Sequence, residues 1–382
     1  MLHLLCCALW EREPDVHLFD ASGTDWQGIL DIARRHTVHG LVASRMKAVA
    51  RELEAEDVVE QCWLTMLEVG RANSQLDSVL ADVVKALGVA GERAVLMKGQ
   101  GVARYYAEPS LRVCGDIDLY TGSHTYEVSQ RLTELVEGVA FTDEGNTIKH
   151  RSGSLRDVPL ELHRLIVTDR GHKSEKLENA WADKELFGPH TRFAQLAGCQ
   201  VEVPGAIFDA VFVFLHFYRH FIHDGISLRQ LCDWMRCLWV NREEIDNAEL
   251  GRLLREFELL KPWQLIGAMA VEYLGMPQEA MPFYRKQRPG RTKALLRLLL
   301  DDSNFGSEKH RDFQAGMPKG RLAAKWYSVK HHSQFYIGRA RLFPRPGIPQ
   351  LLRYWLAGAM NKVRPNTAPS QEDEKSAAPS AQ

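Results

Sequence analysis

The sequence predicts an α+β fold, in which a small mixed sheet is flanked by N- and C-terminal helical regions. Three observations lead there. Apolar residues recur at helical spacing on both sides of a short middle stretch, and within that stretch the period falls to two. The longest apolar run, Ala206 to Tyr218, is interrupted by Asp209 and His216 and is too short to cross a bilayer. With 382 residues, 45% hydrophobic and 25% charged, the chain cannot be wholly disordered, collagen-like or a disulfide scaffold.

Each element has its own signal. Met1 to Trp10 is apolar but short, lacks a basic leader and runs into Glu11 and Glu13, unlike a signal peptide. Ile29, Leu30, Ile32 and Ala33 sit at helical spacing behind an Asp25 cap, and Val58 to Leu87 repeats the pattern until Gly88 and Gly91. Ala94 to Met97 reads as a buried strand, followed by Lys98-Gly99-Gln100-Gly101 and a helix to about Tyr106. Pro109 opens a loop, and Arg112 to Tyr120 is a second strand. Ser123 can cap a helix running to about Val136. Thr147 to His150 and Leu160 to Leu165 are further strands, separated by a loop with Gly153 and Pro159. From Leu177 the chain reads as helical, strongest over 206–219, 228–240, 247–273 and 291–300. Asp301 to Gly306 breaks that pattern, and Pro344-Arg345-Pro346-Gly347-Ile348-Pro349 cannot continue a helix. The expected division is an N-terminal helical region 1–90, an α/β core 91–170, a helical domain 171–310, a basic region 311–365 and a disordered tail 366–382.

Charge is unevenly spread. The chain nets −1, but from Gln314 to Gln371 there are ten Lys or Arg and no Asp or Glu. Trp326, Tyr327, Phe335, Tyr336, Phe343, Tyr354 and Trp355 are interleaved with them. Three roles fit residues 319–364: docking on an anionic membrane, binding nucleic acid or a phosphorylated acceptor, or forming an ordinary basic surface. The seven cysteines are odd in number with no CxxC pair and read as reduced thiols. The expected location is cytoplasmic, with peripheral membrane association as the variant.

Gly115-Asp116-Ile117-Asp118-Leu119 carries the chemistry. On a strand, Asp116 and Asp118 share one face while Ile117 and Leu119 point to the other. Two carboxylates side by side repel unless a cation lies between them, and a hard divalent ion such as Mg²⁺ suits them. Leu160-Glu161-Leu162-His163 repeats the alternation, so Glu161 becomes a third carboxylate if the strands are neighbours. Such a set suits nucleotidyl transfer with two ions, Mg²⁺ or Mn²⁺. A DxD pair alone also occurs on ordinary solvated strands. The glycine turn at Gly99 and Gln100 adds a place where backbone N–H groups can meet a phosphate, although a simple strand-to-helix turn looks the same.

The order Val95-Leu96-Met97-Lys98-Gly99, Tyr105-Tyr106, Pro109, Leu111-Arg112 and Gly115 to Leu119 resembles the uncharacterised nucleotidyltransferase family of the DNA polymerase beta-like superfamily. Leu160-Glu161-Leu162-His163-Arg164 looks like that family's acidic-x-His strand. Leu30 to Leu41, with Ala33, His36 and Gly40, is similar to its N-terminal helical motif. His216 to Asp233, with Arg229 and Asp233, is similar to its C-terminal one, and Leu342-Phe343-Pro344 to a late element. The resemblance implies Asp116, Asp118 and Glu161 as metal ligands and catalytic carboxylates. It also implies Lys98, Gly99, Gln100 and Arg112 around the nucleotide's phosphates. The chain departs from the wider superfamily in having Gln100 after the glycine, a longer gap to Asp116, and Glu161 in place of Asp.

Two side constellations have plainer readings. His216, His220 and His223 share a helical face that could ligate zinc, but without an HExxH glutamate they read as a packed or substrate-lining helix. Arg229 and Asp233 read as an i, i+4 contact, or as an arginine facing the cleft. The expected function is transfer of a nucleoside monophosphate, AMP from ATP, to an unidentified hydroxyl. The alternative is a non-catalytic nucleotide-sensing or scaffold protein, with a membrane-peripheral variant, which would tolerate loss of Asp116 and Asp118.

Overall fold

Long stretches of helical spacing place most of the chain in helices, and the computed structural model describes residues 1–142, 149–168, 173–302 and 317–360. The described residues up to Asp302 belong to one compact unit and those from Met317 onward to a second.

The first unit opens with α1 (Leu2–Leu9), whose Leu4, Leu5 and Leu9 are fully buried, so the apolar start is core. Asp25 caps α2 (Trp26–Arg35) by accepting from the Gly28 amide at 2.9 Å. Then come α3 (His39–Glu52) and the long α4 (Glu56–Ala90), which carries Glu56 and Asp57 at its positive N-terminal end. The inner stripe of α4, with Leu76, Val79, Leu80, Val83 and Leu87, forms one wall of the core. At about 1.5–3 kcal/mol per buried aliphatic side chain, that stripe is a main source of cohesion between helix and sheet.

The opposite wall is a five-stranded sheet of β1 (Val95–Leu96), β2 (Ile117–Tyr120), β3 (Ala140–Phe141), β4 (His150–Leu155) and β5 (Val158–His163), in the order β1-β2-β5-β4-β3. Only β2 and β5 run parallel; the other neighbours are antiparallel. The short α5 (Gln100–Ala103) follows β1, and α6 (Thr125–Leu135) crosses over after β2. Ile117, Leu119, Leu160 and Leu162 face α4 and α6 in the core.

The remainder of the unit is α7 (Lys173–Phe187), a hairpin of β6 (Arg192–Leu196) and β7 (Cys199–Val203), then α8 (Ala206–His223), α9 (Leu228–Val240), α10 (Asn247–Glu256), α11 (Leu260–Tyr273) and α12 (Pro289–Leu300). Buried rings from α8, α9 and α11 meet here, with Phe214 within 5.0 Å of Trp234 and 4.9 Å of Trp263. A helix buried on nearly all sides explains the apolar run of α8. Among the described residues no helix is long and apolar enough to cross a membrane.

Several boundaries differ from the sequence reading. The strand expected from Arg112 begins only at Ile117, because the preceding backbone is held by Asn73, which donates to the Ser110 and Arg112 carbonyls and accepts from the Cys114 amide. Ser123 lies in a 3-10 turn before α6 and caps nothing by its side chain. Gly153 and Pro159 lie within β4 and β5, and the turn falls at Arg156 and Asp157, both at positive φ. Gly153 is needed there since a Cβ would come within 2.5 Å of the Phe141 ring. Pro159 is tolerated because β2 begins to pair only at Leu160. Thr147 and Ile148 lie outside the described residues. The β6–β7 hairpin was not expected; its signal is the Ala197-Gly198 turn, at positive φ, before the alternating Val201 and Val203. The helix expected over 247–273 divides at Glu258, also at positive φ.

The second unit contains α13 (Arg321–Leu342) and α14 (Pro344–Met360), packed against each other. The proline-rich stretch does end α13, yet it starts α14 instead of remaining irregular. A proline in the first turn of a helix gives up an N–H that would have no intrahelical partner.

Candidate active site

Register builds the site. Across β2 and β5, Asp118 pairs with Glu161 and Tyr120 with His163, and strand alternation puts all four side chains on the face turned away from α4. His150 on β4 pairs with His163 and joins them. β1 ends beside Asp118, where the Met97 amide donates to the Asp118 carbonyl at 3.0 Å. Lys98 therefore emerges next to that carboxylate, with Nζ 2.8 Å from Asp118 Oδ1.

His163 holds the same oxygen from the other side. Its Nε2 lies 2.7 Å from Asp118 Oδ1 and 3.1 Å from Glu161 Oε2. An ionised carboxylate can only accept, so His163 Nε2–H is the donor. Burial by itself would raise the Asp118 pKa, but the Lys98 ammonium and the His163 hydrogen bond outweigh it and hold this carboxyl well below the usual range. Burial likewise works against ionised Glu161, and the His163 hydrogen bond overcomes it, leaving its pKa lowered.

Asp116 sits just before β2 in extended chain, half-buried. Its pKa is raised, first by the Asp118 charge and then by burial, against the opposing pull of Lys98. Gly99 closes over this backbone at φ +54°, with a Cβ position only 3.0 Å from the Asp116 carbonyl oxygen. The turn and the DxD pair are thus in contact. The amides of Gly101, Val102 and Ala103 close the turn onto the Lys98 and Gly99 carbonyls. Gln100 is buried, with its side chain toward Asp77 of α4.

Arg112, which the resemblance implies near the nucleotide's phosphates, is engaged with a carboxylate of the helical region. Its guanidinium grips Asp233 of α9 through Nε at 3.0 Å and Nη2 at 2.6 Å, both side chains being buried. Tyr106 donates to the same carboxylate at 2.8 Å, and Tyr105 donates to Asp209 of α8. The paired tyrosines and Arg112 therefore fasten the glycine-turn segment to the helices behind it. Arg229 does not hydrogen-bond to Asp233; it donates to the Val113 carbonyl at 2.7 Å and interacts electrostatically with both Asp233 and Asp116.

Of the further groups around the carboxylates, Lys149 escaped the sequence reading. The Lys149 carbonyl accepts from the Arg164 and Leu165 amides at 2.8 and 3.0 Å, which fixes it at the end of β5. Burial, and then the nearby Lys98 charge, push Lys149 down to about 8. His216 of α8 is pushed well down by burial and then by Lys98. The His216 and His220 rings meet edge to face with centroids 4.5 Å apart, and His220 Nδ1 lies 2.8 Å from Asp224 Oδ2. Alternation did signal His163. Lys149 had no comparable signal, since only the pairing beyond it brings it to the site.

Asp118 Oδ2 is buried with no hydrogen-bond partner, and Asp116 faces a like charge. A cation would satisfy both, so Asp116 and Asp118 fit a hard ion, with Glu161 paired in register beside Asp118. Among the described residues, the group whose ligand atoms lie within 4.8 Å of one another is His150, Glu161 and His163. It shares Glu161 with the carboxylate set, and its imidazoles favour Mn²⁺ or Zn²⁺ over Mg²⁺. We favour the carboxylate set, because His163 Nε2 already donates to Asp118.

The model of the uncharacterised nucleotidyltransferase family matches residues 22–275, and the chain belongs to that family. No curated protein and no solved structure matches the chain.

Proposed function

We propose, from its membership of the uncharacterised nucleotidyltransferase family, that this protein transfers a nucleoside monophosphate, AMP from ATP, to a hydroxyl acceptor with divalent-metal assistance. The observation that carries the reading is the in-register pairing of Asp118 with Glu161 beside Asp116, with Asp118 Oδ2 buried and unpartnered. Asp116, Asp118 and Glu161 would hold two Mg²⁺ or Mn²⁺ ions. Bound there, the ions supply positive charge to the phosphate oxygens.

The chain's own groups have separable tasks. Lys98 and His163 fix Asp118 in its ionised form and one orientation. His163 also orients Glu161, so both carboxylates are positioned before substrate arrives. Arg229 and Lys149 add positive charge around the carboxylates. The acceptor oxygen forms a bond to the α-phosphorus, and the bond from that phosphorus to the bridging oxygen breaks. Pyrophosphate departs with the bonding pair. The acceptor proton passes to an Asp116 carboxylate oxygen.

Incubating the protein with α-labelled nucleotides and cell extract, then identifying the product by mass, tests the reaction. Label on an acceptor, dependent on Asp118 and on divalent ion, is the expected result. Turnover that survives Asp118→Asn with an intact fold would overturn it in favour of a nucleotide-sensing scaffold.

A further inference from the structure

The second unit presents a surface that nucleotidyl transfer does not use. On α14, Ile348, Leu352 and Trp355 follow one another at i, i+4 and i+7 and form one stripe. They are 47%, 48% and 46% exposed. The Trp355 indole N–H donates to Ser333 Oγ at 3.0 Å, which anchors the ring's polar edge on α13. On α13, Trp326 is 73% exposed, and Lys330 lies one turn further along the same side. Arg341, Arg345 and Arg353 are exposed as well, and Arg345 borders the stripe one turn before Ile348. No acidic residue occurs anywhere from Gln314 to Gln371.

We infer that the α13–α14 hairpin docks on an anionic lipid surface, with the Ile348–Leu352–Trp355 stripe entering the interface and the surrounding basic residues meeting the headgroups. The charge is of one sign, which complements anionic phospholipid and attracts it over about a Debye length. The stripe combines aliphatic side chains with indole, the composition of helices that lie in the plane of a membrane interface. Nucleic acid would satisfy the basic residues equally. It offers nothing to Ile348 and Leu352, however, because bases gain by stacking on aromatic rings and not by covering aliphatic ones. The hairpin is an interfacial element, since no described helix can span the bilayer.

Flotation of the full chain with vesicles of phosphatidylcholine alone, or of phosphatidylcholine mixed with phosphatidylglycerol, tests the inference. The chain should float with the mixed vesicles at least ~10-fold better than with neutral ones, and raised salt should release it. The double substitution Ile348→Ser with Leu352→Ser should lower partition roughly 10-fold while circular dichroism keeps the parental helix content, because both side chains are about half exposed and the Trp355–Ser333 contact is left in place. Neutralising Arg341, Arg345 and Arg353 to Gln should abolish the preference for anionic lipid. Equal partition of parent and double variant would overturn the proposal. So would retention on single-stranded RNA together with failure to float.

Discussion

Lys98 Nζ lies 2.8 Å from Asp118 Oδ1, and this contact makes the two aspartates of the DxD pair unlike each other. Strand alternation treats Asp116 and Asp118 as equivalents on one face. In the folded chain Asp118 is held by an ammonium and an imidazole, whereas Asp116 mainly meets the charge of Asp118. The difference separates their effects on stability from their effects on activity.

Without metal, Asp116→Asn should raise the melting temperature, because it removes a repulsion. Asp118→Asn should lower stability by about 3 kcal/mol, the low end for a broken buried pair, since Asn still accepts a hydrogen bond while Lys98 loses its counter-charge. Denaturant unfolding of the two variants in chelator checks this. Shifts of the same sign would show that the Lys98 contact does not govern Asp118.

The acid limb of stability follows from the same contact. Asp118 has a folded pKa below its ordinary 3.8, so the unfolded chain binds the proton more readily. Its contribution is present above about pH 4 and is lost as pH falls from there. Asp116 has the opposite sign: with its folded pKa raised, it costs stability as pH climbs past the ordinary aspartate value. Melts between roughly pH 3 and pH 7 should therefore show a shallower acid loss in Asp118→Asn than in the parent. In Asp116→Asn the gain over the parent should grow toward neutrality.

Activity should respond alike to both substitutions. Asp116→Asn, Asp118→Asn and Glu161→Gln each remove a charge that would hold divalent ion, and at least a hundredfold loss is expected, about 2.7 kcal/mol at ten-fold per 1.36 kcal/mol. Mg²⁺ with nucleotide should stabilise the parent, by about 2.7 kcal/mol at a hundred times Kd, and leave the variants nearly unmoved. Thermal shift beside single-turnover kinetics measures both. An active variant that no longer responds to Mg²⁺ would separate metal holding from turnover.

Arg112→Met should act on folding. It strips Asp233 of its bidentate partner and leaves a buried carboxylate with Tyr106 alone, at a cost of about 3–5 kcal/mol. The denaturation midpoint should fall, and Asp233→Asn should fall with it. A variant that keeps parental stability but binds nucleotide more weakly would return Arg112 to the phosphates.

The sequence by itself determined the α+β class, the strands that carry Asp118 and Glu161, and the alternation of side chains along them, because strand alternation and helical spacing are local, although Asp116 lies just before β2 in the folded chain. It also pointed to the candidate set Asp116, Asp118 and Glu161, through the resemblance of Gly115 to Leu119 and Leu160 to Arg164 to the nucleotidyltransferase family's motifs. Tertiary structure alone decided what each acid faces. Asp118 and Glu161 lie 43 positions apart in sequence, and nothing local announces that β2 and β5 run parallel in that register. Arg112 shows the same limit: it precedes the DxD pair in sequence, yet its partner Asp233 arrives from a helix 121 positions further on. A buried cation takes whichever carboxylate the packing delivers within reach, and packing depends on contacts between segments that sequence order does not bring together.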